Sequence, residues 1–355
     1  MTTPPLDQAG EVRAENALDA TVVERFLREH VPGLPAGPLQ IRQYAGGASN
    51  LTYELRAGDR AMILRRPPSG TRPKSGHDMK REFRVLEGLH GHFPVPQPLA
   101  YTDDESLIGA PFYVMEKCAG VILRRDLPKG HAYSPGQARQ LCLNLLDTQI
   151  RLHQLDYKAI GLGDLGHPEG YVERQVNGWC ERFGKSWTDD VPKCESVMAW
   201  LKAKRPPDSA KPGIIHNDYR FDNVVLDPND MLTIIGVLDW EMCTIGDPLM
   251  DLGASLAYWV QPGDPPQMQS LRMQPSHLPG MLTREQIAEH YGEKTGLAVG
   301  NVDFYYVFGL FRLGVIAQQI YYRWKLGQTK NPRFQMFGMF VSVLAQVAEK
   351  VIQAS

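Results

Sequence analysis

The sequence predicts an α+β protein of two lobes, a small antiparallel β lobe holding one long helix and a larger, mainly helical lobe. Its 355 residues suggest about two domains. The first third alternates short β-rich runs with glycine-containing turns, whereas nearly everything beyond Gly120 carries helical spacing. Hydrophobic residues at 43% and charged residues at 22% suit a soluble globule with a sizeable core. The 38 Lys+Arg against 40 Asp+Glu leave a formal charge of −2, which argues against a chain devoted to coating nucleic acid.

Residues 1–18 read as a flexible polar tail. A short helix follows from Asp19 through Val22, Val23, Phe26 and Leu27, ending before Pro32-Gly33. Three strands come next, at Leu39–Tyr44, Leu51–Leu55 and Ala61–Leu64, with Gly46-Gly47 and Gly58-Asp59 at their turns. Phe83, Leu86 and Leu89 make Asp78–Leu89 one helix packed on that sheet. Strands near Pro98–Tyr101 and at Pro111–Lys117 complete a lobe spanning 19–117.

Residues 118–355 form the second lobe. Ser134-Pro135-Gly136-Gln137 is a capping box with proline at the first helical position, and it opens a run with Leu141, Leu145, Leu146 and Leu152 on one face. Further helices are expected at 168–187, 191–204, 284–296, 301–326 and 331–353. Ile214–Asp239 reads as a β-hairpin region turning at Pro228-Asn229-Asp230, and 261–281 as one long Pro/Gln/Met-rich irregular loop.

The longest uncharged, mostly apolar stretch, Phe334–Ala348, is 15 residues, short of the roughly 18 that cross a bilayer. It reads as a buried helix, and no membrane partner is expected. Met1-Thr2-Thr3-Pro4-Pro5 lacks a basic region followed by an apolar one, so a secretory signal is not expected. The five cysteines are odd in number and contain no C-x-x-C pair, which fits reduced thiols in a cytoplasm and offers no zinc site.

The strongest chemical signal is Ile214-Ile215-His216-Asn217-Asp218-Tyr219-Arg220-Phe221-Asp222-Asn223, an H-x-D-x-x-x-x-N block followed by the apolar run Val224-Val225-Leu226. A second acid, Asp239, ends Gly236-Val237-Leu238 21 residues after Asp218. Phosphoryl transfer needs this set: one carboxylate to orient the acceptor hydroxyl, and an amide oxygen with a second carboxylate to hold magnesium against nucleotide phosphates. A polar turn and a strand-ending acid would explain either piece alone. The pair, in this order and flanked by apolar strands, favours function.

These blocks resemble the aminoglycoside/choline phosphotransferase family, distant relatives of the protein kinases. The likeness runs from about Leu39 to the C-terminal helices and includes Gly246-Asp247-Pro248-Leu249-Met250-Asp251-Leu252 and Leu152-His153-Gln154-Leu155-Asp156. It implies a bilobal protein-kinase-like fold that uses ATP and Mg2+. It makes Asp218 the catalytic base and Asn223 and Asp239 the magnesium ligands. His216 would support the loop through hydrogen bonds, and Arg220 belongs with the catalytic residues. Asp251 would hold the loop's backbone, unless it merely caps the next helix.

In the small lobe the resemblance assigns Gly46-Gly47-Ala48-Ser49-Asn50 to the phosphate-covering turn, where glycines let backbone N–H groups approach phosphate oxygens. The family's strand lysine is replaced by Arg65-Arg66. Alternation turns one arginine inward and the other to solvent, and the family register favours Arg65, with Glu82 as its partner. The backbone from Glu116 to Cys118 would receive the adenine edge.

The acceptor is less defined. Ile160–Pro212 holds eight acids and eight bases, without the acidic excess that a polycationic antibiotic needs, whereas residues 60–84 hold eight Lys/Arg against two acids. Arg-Arg-Pro-Pro and the Gly246–Leu252 block look most like kinase domains associated with acyl-CoA dehydrogenases. That implies a small hydroxylated, anionic substrate such as a hydroxyacyl-CoA thioester. The flexible methionines Met268, Met273 and Met281 of 261–281 suit an apolar acyl chain, and a cover without ligand contacts explains the same loop equally well. A monomer or homodimer is expected. A catalytically silent nucleotide-binding module, an aminoglycoside-type antibiotic kinase and a magnesium-dependent hydrolase are the competing readings.

Overall fold

The period-two runs of the first third pair as one five-stranded antiparallel sheet in a computed structural model that describes residues 8–44, 50–68, 78–329 and 331–355. Its strands are β1 (Gln40–Gln43), β2 (Leu51–Ala57), β3 (Arg60–Arg66), β4 (Pro98–Thr102) and β5 (Phe112–Glu116), in the order β1-β2-β3-β5-β4. Helix Met79–Leu89, capped by Asp78, packs on β4 and β5. On the other side Val23, Phe26 and Leu27 of helix Ala20–His30 join Leu55, Met62, Leu64, Phe112 and Val114 in one apolar core. Both faces of the sheet are therefore covered. Alternation along β3 leads from one buried face to another, and Arg66 does not reach solvent as expected: it is 5% exposed.

Residues 8–18 are not a loose tail. Gly10 and Gln43 exchange backbone hydrogen bonds at 2.9 and 3.0 Å, the Tyr53 hydroxyl donates to the Asn16 carbonyl, and Ala9 and Asn16 are buried.

The chain divides into two compact units. The first comprises Met1–Ile122, Ile160–Leu162 and Asn223–Cys243, and the second Leu123–Ala159, Gly163–Asp222 and Thr244–Ser355. The expected 214–239 hairpin is two structures. Gly213–Ile215 (β6) pairs with Thr244–Gly246 (β9) inside the second unit. Val224–Leu226 (β7) pairs with Ile234–Val237 (β8) inside the first, where Leu226 also bridges to Val121.

The second unit is helical. Ser134 and Gln137 form the predicted capping box of helix Pro135–Gln154. Helices Tyr171–Ser186, Glu195–Ala203, Pro248–Ala257, Arg284–Thr295, Val302–Lys325 and Phe337–Ala354 follow. Pro248–Ala257 and Val302–Lys325 meet at Gly253 and Gly309, where a Cβ would stand 2.2 Å from the Tyr305 carbonyl oxygen or 2.1 Å from that of Gly253. Only glycine permits this approach.

Segment 261–281 is more ordered than its composition suggests. Pro266–Ser270 is a helical turn, Met268 is 2% exposed, and Gln274 and Ser276 are buried and hydrogen-bonded. Met268 is thus a core side chain.

Among the described residues, Pro332–Ala354 is the one helical stretch long and apolar enough, by length and composition, to cross a membrane. Gly338, Val341, Leu344 and Ala348 are buried, and the helix packs against Val302–Lys325. Met336 and Met339 stay exposed, so the buried-helix expectation holds for one face only.

Candidate active-site residues

In the first unit, Arg65 on β3 meets two carboxylates. Its Nη1 lies 3.1 Å from Glu82 Oε2 and its Nη2 donates to Asp239 Oδ1 at 2.9 Å. Glu82, on helix Met79–Leu89, also accepts from the Tyr113 hydroxyl at 2.9 Å and from Asn50 Nδ2 at 3.0 Å. Burial pushes the Glu82 carboxyl up, against the Arg65 charge that pulls it down. The arginine is therefore fixed in direction by a fork that a lysine cannot reproduce. Arg66, on the opposite face, donates to the Ile108 carbonyl and lies over the Tyr53 ring.

Asn50 does not offer its side chain to a phosphate here. Its amide bridges Glu82 and Glu241 Oε2, the latter at 3.1 Å. Gly46, Gly47 and Ser49 lie outside the described residues.

Asn223 and Asp239 stand at one end of the β7–β8 hairpin. Val224 pairs with Val237, and the Leu238 N–H donates to the Asn223 carbonyl at 2.8 Å, so the amide and the carboxylate flank the same rung. Asp239 adopts φ 67°, a left-handed conformation that redirects the chain out of the strand. Among the described residues no group of three or more His, Cys, Asp or Glu could hold a metal. One carboxylate with one amide oxygen instead fits Mg2+, which keeps waters and phosphate oxygens as its other ligands.

The stretch expected to face adenine is partly committed. The Glu116 N–H donates to the Gln97 carbonyl and the Lys117 N–H to that of Ala61, while the Glu116 carboxylate binds Arg60. Neither amide can serve a nucleobase, which narrows the expectation to Cys118 and to carbonyl oxygens. Cys118 is half-buried beside Gly236, and burial raises its thiol to about 11.

In the second unit the loop after β6 carries His216, Asp218 and Arg220. His216 is fully buried, and its Nδ1 takes the Asp218 N–H at 3.2 Å. Asn217 turns through φ 65° and donates its N–H to Asp251 Oδ1. Asp251 Oδ2 meets the His216 N–H, Gln149 Nε2 and His153 Nε2. Burial works against this carboxylate, yet the His153 bond and charge, His216 and Gln149 hold it at about 2. Helix capping falls to Asp247, which accepts from the Leu249 and Met250 N–H groups, so the cap reading of Asp251 is set aside. Arg220 pairs with Asp218 at 3.4 Å and with Asp222 at 2.8 Å; Arg124 reaches Asp222 from outside.

Three contributors escaped the sequence reading. Tyr113 sits directly opposite Arg65 in the β3–β5 ladder, a placement that strand pairing alone could have suggested. Glu241 follows Asp239 by two residues, and Gln149 precedes His153 by one helical turn.

A model of the phosphotransferase enzyme family matches residues 40–286. Mouse acyl-CoA dehydrogenase family member 10 is 32% identical over 339 residues, covering 95% of this chain but 31% of its own length. The chain thus spans about a third of that relative. The solved structure of a candidate aminoglycoside phosphotransferase from Ralstonia eutropha JMP134 superposes with a TM-score of 0.81 at 30% identity, covering 95% of this chain and 99% of that one. A thermostable mutant of aminoglycoside phosphotransferase APH(4)-Ia, solved with AMP-PNP and hygromycin B, shares the fold at a TM-score of 0.60 and 16% identity, over 94% and 99% of the two chains. With the family model covering most of the chain, and with a fold and motif set that agree, the protein belongs to the phosphotransferase enzyme family.

Proposed function

We propose that this phosphotransferase is an ATP- and Mg2+-dependent small-molecule kinase that moves the γ-phosphate to a substrate hydroxyl. The observation that carries the reading is the backbone clamp of Asp251 on Asn217 and His216, which presents Asp218 from a rigid loop. Asp218 accepts the hydroxyl proton as the hydroxyl oxygen attacks the γ-phosphorus and the bond from that phosphorus to the bridging oxygen breaks, releasing ADP. Asn223 and Asp239 would hold the metal, which would supply neutralisation of charge on the phosphates. Arg65, aimed by Glu82, faces the phosphates; Arg220 balances charge beside Asp218; for Gly46, Gly47, Ser49 and Asn50 the phosphate-contacting role that the family resemblance implies is retained.

The proposed acceptor is an anionic hydroxylated compound, with a hydroxyacyl-CoA as its chemical type. Support comes from the name of the mouse relative, from the even charge of 160–212 and from exposed Arg124, Arg125 and Lys129. Five free cysteines support a reducing, cytoplasmic setting. Transfer of labelled γ-phosphate from ATP is to be measured against hydroxyacyl-CoA esters, free hydroxy acids and kanamycin-type compounds at equal concentration. Highest kcat/KM on the CoA esters is expected. Preference for the aminoglycosides overturns the acceptor, and Mg2+-dependent hydrolysis without transfer to any of them overturns the kinase.

A further inference from the structure

The Pro/Gln/Met-rich segment 261–281 reaches the catalytic loop through one side chain. Gln274, 2% exposed, accepts the Phe221 N–H on Oε1 at 3.1 Å and donates from Nε2 to the Tyr258 carbonyl at 3.2 Å. A single amide thus ties the loop, three residues past Asp218, to the end of helix Pro248–Ala257. We propose that Gln274 is a positioning residue of the reaction, a second clamp on the loop that presents Asp218. That role rests on the reading of Asp218 as the general base.

The first clamp, Asp251, takes the His216 and Asn217 N–H groups on the near side of Asp218. On the far side the Tyr219 hydroxyl donates to the Leu145 carbonyl at 2.9 Å, and the Phe221 ring stacks on Trp259, whose indole N–H is anchored on the Leu282 carbonyl. These contacts fix side chains, whereas Gln274 fixes the backbone. Tyr219 and Phe221 are 2% and 0% exposed, while the side chains of Asp218 and Arg220 keep 19% and 17%. Alternate residues of the loop thus turn inward, and a backbone shift at Phe221 passes directly to their charged neighbours.

Gln274 is itself held on both sides. Arg272, two residues earlier, donates to the Arg125 carbonyl and to Asp126 Oδ1, and Ser276, two residues later, donates from Oγ to the Val260 carbonyl at 2.7 Å. The two halves of the amide are not equivalent. The Tyr258 carbonyl also receives the Val260 N–H at 3.2 Å, so it keeps a donor without Gln274. The Phe221 N–H, on a residue with no exposed surface, would lose its acceptor where water does not reach, which is the costly way to break a hydrogen bond. The acceptor oxygen is therefore the atom on which the loop depends. A cavity of about 30 Å³ lies against Gln274, with Tyr219 and Trp259 among its walls, so a methionine of the same length fits without overpacking.

The test compares Gln274→Met, Gln274→Glu and Ser276→Ala with the parent chain. Hydrogen exchange of the Phe221 amide is followed by NMR, and kcat and KM are read from Mg·ATP turnover with the acceptor panel. Methionine removes both polar atoms at constant length, whereas glutamate, charged or protonated, keeps an oxygen for the Phe221 N–H. In Gln274→Met the Phe221 amide should exchange about tenfold faster and kcat should fall about tenfold, with KM for ATP within about twofold of the parent's. Gln274→Glu should keep slow exchange and most of kcat. Ser276→Ala, which removes only the Val260 anchor, should lower the melting temperature and move neither. Phe221 exchange that stays slow in Gln274→Met overturns the proposal. So does an unchanged kcat there, or a kcat loss that Gln274→Glu or Ser276→Ala shares in full. Absence of Mg·ATP turnover in the parent chain defeats the kinase reading alone, because Phe221 exchange still decides whether Gln274 clamps the loop.

Discussion

Asp251 accepts the Asn217 N–H at 2.5 Å, and Asn217 is one of three non-glycine residues with positive φ among the described residues. Asparagine tolerates that conformation better than most side chains, and the bond to a fully buried carboxylate keeps it there. The backbone on both sides of His216-Asn217-Asp218 is thereby fixed from helix Pro248–Ala257 and, through Gln149 and His153, from helix Pro135–Gln154.

Asp251→Asn should therefore act on stability and on the loop together. An amide turns one oxygen into a donor that faces donors, and breaking such a buried charged network costs about 3–5 kcal/mol. Urea denaturation should show a loss of that order. A loss below 1 kcal/mol would mean that the clamp does not hold the loop.

The two adjacent arginines of β3 should separate cleanly. Arg65→Lys keeps the charge but cannot serve Glu82 and Asp239 at once, and a lost charge-assisted bond is worth roughly tenfold in affinity. Calorimetric titration should show Mg·ATP binding weakened by about that factor. Arg66→Lys, whose partners are the Ile108 carbonyl and the Tyr53 ring, should lower the melting temperature and leave Mg·ATP affinity alone. Equal effects of the two on affinity would break the assignment of Arg65.

Acid should unfold the chain partly through two carboxylates. Burial opposes Glu54, but bonds from Lys117, Arg56 and Tyr44 hold it at about 2; Asp251 is likewise held at about 2. Both are depressed below their usual values near 4, so their contribution is complete above that value and is lost as pH falls toward 2. Glu82, raised by burial, works in the opposite sense. Melting temperature should fall steeply from pH 4.5 to pH 2 by roughly the sum of these linkages, and less steeply in Glu54→Gln. A Glu54→Gln profile parallel to the parent's would remove Glu54 from the account.

Local chemistry was the legible part. Ser134 and Gln137 cap a helix through bonds within four residues, and the β1–β3 meander joins neighbours in sequence, so both could be read directly. Asp247-Pro248 carries an equally local cap signal, an acid before a proline in the first helical turn. The pairing of Ile214 with Ile245 joins strands some thirty residues apart, and no periodicity announces it. Arg66 and Met268 are buried by layers that their own segments do not encode, a helix over the second sheet face for the first and Leu313, Phe340 and Leu344 of the last two helices for the second. The motif residues were legible because phosphoryl transfer constrains residue type and spacing together. Their supports, Tyr113, Glu241 and Gln149, were not, because each acts through tertiary contacts.

The acids Asp218 and Asp239 should fail in different ways. Asp218 is assigned to the acceptor's proton and Asp239 to the metal, so the first should govern rate and the second binding. Asp218→Asn keeps the shape of the loop and the Arg220 contact on one oxygen, and removing a general base slows transfer by ~10²–10⁴. Its Mg·ATP affinity should stay within about threefold of the parent's, since nothing assigned to the metal has changed. Asp239→Ala removes a partly exposed carboxylate and the second partner of buried Arg65 and leaves alanine at positive φ, so folding stability should also drop, by about 1–3 kcal/mol. Mg·ATP, however, should no longer raise its melting temperature, whereas the parent chain should gain several degrees at saturating nucleotide. Calorimetry, thermal shift and γ-phosphate transfer on both variants decide between the roles. An Asp218→Asn enzyme with more than half its turnover, or an Asp239→Ala protein still stabilised by Mg·ATP, would reassign that residue to structure.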